Sequence, residues 1–100
     1  MKDKFVIDQV SKSYILSKTI LKEEEMGISF RNKDTINAYR LIIDRIDNVI
    51  SSLDEDSKFI LINEVKLGKK GEWYREFLST PTYYRHRKAA YRAFLNCLKQ

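Results

Sequence analysis

Of the side chains in this 100-residue sequence, those whose types and spacing could do chemistry are cations. Arg85, Lys88 and Arg92 recur at steps of three and four, the interval that lines one face of an α-helix. They follow Ser79-Thr80-Pro81, with Thr82 and Tyr84 at the start of the same segment. A helix face of this kind can neutralise phosphates, and Arg or Lys can also read guanine edges. Upstream, Lys69, Lys70 and Arg75 are candidate contacts to a nucleic-acid backbone. No nucleophile or metal set is comparably organised. His86 is the only histidine, and the single cysteine, Cys97, lies eleven residues on, ~16 Å along a helix. Cys97 then reads as a small apolar residue, and His86 as a phosphate or base contact rather than a metal ligand. Consecutive carboxylates such as Glu23-Glu24-Glu25 and Asp54-Glu55-Asp56 point apart on a helix and read as solvated ends and caps. Gly68-Lys69-Lys70-Gly71 is too short for a phosphate-cradling loop. The expectation is a protein that is not an enzyme and uses no metal or cofactor.

Charge is divided along the chain. Residues 1–65 carry 10 Lys/Arg against 12 Asp/Glu, while residues 66–100 carry 9 against only Glu72 and Glu76. A near-neutral body joined to a basic end points to a polyanionic partner. At 43% apolar and 33% charged residues, the chain has the composition of a folded protein, and 3 Gly and 1 Pro are too few for many strands and turns. A single cysteine allows no intrachain disulfide and suggests a reducing, cytoplasmic setting. No apolar run approaches the ~20 residues that span a bilayer.

The elements that must position these cations are helical. Ile7, Val10, Tyr14, Ser17 and Leu21 predict a helix over 4–25, and Ile28, Ser29 and Phe30 a connector folded back onto the helices. Ile36, Tyr39, Ile43, Ile46, Ile50 and Leu53 predict a second helix over 33–53, its stripe widened by Leu41, Ile42 and Val49, with an Arg40/Asp44 pair. This helix is a core element or a homodimer seam. Ser52 and Glu55 suggest a capping box that opens a helix over 54–66, burying Phe59, Ile60, Ile62 and Val65. After the Gly68–Gly71 break, 72–78 reads as a short helix anchored by Trp73, Phe77 and Leu78. Thr80 suits an N-cap and Pro81 a first turn, and nothing interrupts a final helix to Leu98. Its packed face comprises Tyr83, Ala90, Phe94, Cys97 and Leu98, and Tyr84 faces outward. The fold class is all-α, about five helices. Residues 1–53 form a helical body for protein interaction or dimerisation, and 54–100 form a C-terminal helix-turn-helix.

Leu78-Ser79-Thr80-Pro81-Thr82-Tyr83-Tyr84-Arg85-His86-Arg87-Lys88-Ala89-Ala90 resembles the recognition helix of ArpU/RinA-type phage transcriptional regulators. Those in turn look like the promoter-reading fourth region of sigma factors. Trp73-Tyr74 before it is similar to an uncharacterised mollicute family with sigma-like C-terminal ends. The likeness covers roughly residues 55–98 and is moderately specific. It implies that Thr82, Tyr84, Arg85 and Lys88 face DNA, while Tyr83, Ala90 and Phe94 hold the helix. The functional expectation is a DNA-binding transcriptional regulator on double-stranded DNA, with RNA polymerase as a candidate partner. Two alternatives stand beside it: an RNA-binding module using exposed tyrosines, and a helical adaptor working through the 33–53 stripe without nucleic acid.

Overall fold

The helical periodicities are realised in a computed structural model that describes residues 2–28 and 31–100. Helix α1 spans Lys2–Glu25 and α2 spans Lys33–Ser51. Helix α3, Glu55–Leu61, runs on into a wider π turn, Ile62–Lys66, and α4 spans Thr80–Leu98. Among the described residues there are thus four α-helices, where the sequence predicts about five helices. The expected helix at 72–78 is a single 3₁₀ turn, Trp73–Glu76, because Gly71 enters it at φ +68° and Ser79 leaves it extended. No strand occurs among the described residues, and none of their helices is long and apolar enough to cross a membrane.

Helix α1 buries Ile7, Ser11, Tyr14, Ser17 and Ile20. Val10 and Leu21 are only partly covered, while Ser11 goes inside because its hydroxyl donates to the Val65 carbonyl at 2.9 Å. Gly27, at φ +73°, turns the chain so that Gly27 and Ile28 N–H groups close on the Glu24 and Glu23 carbonyls. Ile28 does not fold back but is exposed; Ser29 and Phe30 lie outside the described residues. Asn32 caps α2 by accepting from the Thr35 N–H at 2.8 Å. Ile36, Ile43, Ile46, Val49 and Ile50 are buried, but Leu41 and Ile42, expected to widen the stripe, face solvent, Leu41 at 69% exposure. Arg40 and Asp44 form no ion pair.

The α2–α3 corner differs from the expected capping box. Ser52 is helical and closes α2, its hydroxyl donating to the Val49 carbonyl at 2.7 Å. The N-cap is Asp54, which has the extended backbone a cap needs and accepts from the Ser57 N–H at 3.0 Å. Hydrogen bonding from the Ser57 side chain, and then from its N–H, holds the Asp54 carboxyl below its usual range. Beyond α3, the Leu67 N–H reaches back five residues to the Ile62 carbonyl, which defines the π turn. In this wider turn Asn63, Glu64 and Val65 all point inward, whereas Ile62, expected to be buried, is exposed and Leu61 takes its place. All four helices feed one apolar core, with Ile7, Tyr14, Ile46, Ile50, Ile60, Leu61, Val65 and Phe94 among its members.

Candidate nucleic-acid interface

Helix α4 starts one residue earlier than its sequence suggests. Ser79, not Thr80, is the N-cap: its backbone is extended and its Oγ accepts from the Thr82 N–H, while Pro81 falls in the first turn. The Ser79 hydroxyl also donates to Thr82 Oγ1 at 2.9 Å, so Thr82 is engaged locally. The helix contains no Asp or Glu.

Its inner face is fixed by a carboxylate that sequence reasoning missed. Glu64, buried in the π turn, accepts from Trp73 Nε1 at 3.0 Å and from the hydroxyls of Tyr83 and Tyr91. Three donors, one from the 3₁₀ turn and two from α4, thus converge on one side chain. A lone buried carboxylate would cost several kcal/mol, and charge-assisted hydrogen bonds offset that cost. Burial, and then the bonds to Glu64, push both tyrosine hydroxyls well above their ordinary pKa. Tyr74 stacks flat on Tyr83 with centroids 3.7 Å apart, and Trp73 meets Tyr83 edge-on at 5.9 Å. The Arg87 guanidinium lies within 5.1 to 6.0 Å of the Tyr91, Tyr84 and Tyr83 ring centroids. Burial disfavours its charge, but Tyr91, Tyr83 and Glu64 more than offset this. Ala90 and Phe94 are fully buried beside these groups, as expected. Tyr91 is buried as well, a position the packed-face reading omitted; Cys97 and Leu98 are partly covered. At the far end, Arg45 from α2 donates to the carbonyls of Cys97, Leu98 and Gln100.

The outer face gathers Tyr84, Arg85, Lys88 and Arg92 within an arc of about 100° around α4. Tyr84 is half exposed, and Arg85, Lys88 and Arg92 are exposed. None of the three cations makes an ion pair among the described residues. Thr80 is exposed in the first turn beside them. The upstream cations are not gathered there. Lys70 pairs with Asp8 of α1 at 3.5 Å, and Arg75 pairs with Glu72 at 2.5 Å. Lys69 lies 6.0 Å from the Trp73 ring centroid. Gly68 is held against α1, where a Cβ would come within 2.7 Å of Ile15 Cδ1. Phe77, read as an anchor, is 59% exposed and only edges onto Phe59; the buried anchor of this turn is Tyr74.

The two flanks of the outer face differ in charge. On one side His86 Nε2 stands 3.9 Å from Asp56, in the acidic first turn of α3. On the other, a cleft of about 290 Å³ opens between α4 and the first turn of α1, lined by Asp3, Lys4, Tyr84, Arg87, Lys88, Tyr91 and Arg92. No group of three His, Cys, Asp or Glu side chains that could hold a metal occurs among the described residues. No family model, curated protein or solved structure compared with the chain matches it.

Proposed function

We propose that the chain is a DNA-binding transcriptional regulator that lays the outer face of α4 in the major groove. The reading rests on one observation: Arg85, Lys88 and Arg92 share an exposed face of a helix without acids, and none of them has a counter-ion among the described residues. A major groove about 12 Å wide admits such a helix, and Arg and Lys there can bind phosphates or guanine edges. The likeness of residues 78–90 to sigma region four and ArpU/RinA-type recognition helices agrees with it and extends the proposal to a contact with RNA polymerase. The first helix of the expected helix-turn-helix, residues 72–78, is only a 3₁₀ turn at Trp73–Glu76, so the reading rests on α4 itself and not on a short helix and tight turn before it. Tyr84 touches base edges or sugar-phosphate, as does Thr82 through the hydroxyl proton that its bond from Ser79 leaves available.

Single-stranded RNA is the poorer fit, because stacking needs several open rings and two of Tyr83, Tyr84 and Tyr91 are buried. The test is duplex binding across a salt series, with a log–log slope corresponding to roughly 4–7 phosphate contacts. Replacing Arg85 and Lys88 together by Ala should abolish measurable binding at physiological salt; unchanged affinity would remove α4 as the reading helix. A second surface favours self-association through α2. An apolar groove of about 450 Å³ runs between α1 and α2, lined by Val6, Val10, Leu41, Ile42, Ile46 and Leu98. Leu41→Glu should convert a dimer to monomer in sedimentation experiments if this groove is the seam.

A further inference from the structure

The cleft between the first turn of α1 and α4 joins residues about eighty positions apart in sequence, and it does so beside the proposed reading face. Four of its lining residues are cations, Lys4, Arg87, Lys88 and Arg92, against one acid, Asp3. Arg87 is preset by the three tyrosine rings around it, with its charge partly answered by Glu64 behind them. Lys4 pairs with Asp8 at 3.0 Å, but both side chains are about a third exposed, so the pair is weak and the ammonium can serve another anion. A helix lying in the major groove has a phosphate backbone on each flank. The flank at Asp54, Glu55 and Asp56 repels phosphate, and the flank at this cleft attracts it.

We infer that this cleft seats one backbone phosphodiester of the bound duplex, with Lys4 of α1 contributing beside Lys88 and Arg92 and with Arg87 as its preset charge. The inference rests on the α4 reading and adds to it a side of approach and a contact from the opposite end of the chain. The seat makes α1 part of the binding surface rather than only part of the body.

The test compares Lys4→Gln with Lys22→Gln, which removes the same charge from the other end of α1, ~27 Å away. Measured on one duplex across a salt series, Lys4→Gln should make the log–log slope shallower by about 0.9 and weaken binding several-fold at about 0.1 M salt. Lys22→Gln should change affinity less than twofold. Asp3→Asn, which removes the acid lining the cleft, should tighten binding roughly twofold at low salt. A merely structural role for this end of α1 would not give such a gain, so equal or weaker binding by Asp3→Asn would overturn the seat. Equal losses for Lys4→Gln and Lys22→Gln would overturn it too, while loss of binding by the Arg85→Ala/Lys88→Ala variant would leave the α4 reading standing. Absence of salt-dependent duplex binding by the unaltered chain would instead remove both. Repeating the Lys4→Gln measurement on duplex lacking 5′-phosphates separates the sources of the anion. An undiminished deficit supports an internal phosphodiester, and a deficit that vanishes overturns that placement in favour of a strand end.

Discussion

The two faces of α4 are built on opposite rules. On the inner face the buried polar groups answer one another: Glu64 accepts from Trp73, Tyr83 and Tyr91, and no buried side-chain polar atom among the described residues lacks a partner. On the outer face, Arg85, Lys88 and Arg92 are committed to nothing within the described residues. One face therefore fixes where the helix lies, and the other is left for a ligand to satisfy. Substitutions should separate accordingly, in stability on one side and in binding on the other.

The largest expected effect is at Glu64. Glu64→Ala leaves three donors without an acceptor in the core and should cost on the order of 3–5 kcal/mol by denaturant unfolding. Glu64→Gln, which keeps an acceptor oxygen, should cost clearly less. A loss below about 1 kcal/mol for Glu64→Ala would break the contrast between the faces. Gly68→Ala comes next, at roughly 1–3 kcal/mol, since the residue sits at φ +64° with Ile15 Cδ1 in the path of any Cβ.

A pH effect follows from the tyrosines. Burial, with carboxylate partners at Asp47 and Glu64, raises the hydroxyl pKa of Tyr14, Tyr83 and Tyr91 above the unfolded value of about 10. A group whose folded pKa is raised stabilises the fold fully below the unfolded pKa and ceases to do so as pH climbs toward the folded one. Stability should thus be level up to about pH 9 and decline above pH 10. Tyrosinate absorbance from these three residues should grow only as the fold is lost. Smallest of all, Arg92→Ala should alter stability by no more than about 0.5 kcal/mol while weakening duplex binding several-fold. A stability loss as large as that of Gly68→Ala would mean that the outer face is structural after all.

Much of this was legible in the sequence. The Ile36–Ile50 stripe identifies the buried side of α2, and the separation of neighbours Tyr83 and Tyr84 onto opposite faces follows from helical spacing alone. Glu64 was not legible, because a single acid within an apolar segment carries no sign of the three donors that reach it from 9, 19 and 27 residues away. The π turn that aims it inward has no residue signature of its own. Ser79 and Thr80 are both good caps, and only the extended backbone at Ser79 decides between them. Lys70 and Arg75 have the right type for phosphate contacts, but the fold leaves them in the loop and the 3₁₀ turn, beside Asp8 and Glu72, rather than on the outer face of α4. Lys4 was missed for the converse reason: its partners across the cleft lie at the other end of the chain.

The bond from Trp73 to Glu64 gives the molecule an optical gauge. Trp73 is the sole indole in the chain, and its N–H ends on the same carboxylate that holds Tyr83 and Tyr91 of α4. Whatever shifts that helix changes the polarity and hydrogen bonding around the fluorophore. Emission from the unlabelled protein therefore tracks the seating of α4, with no reporter group added.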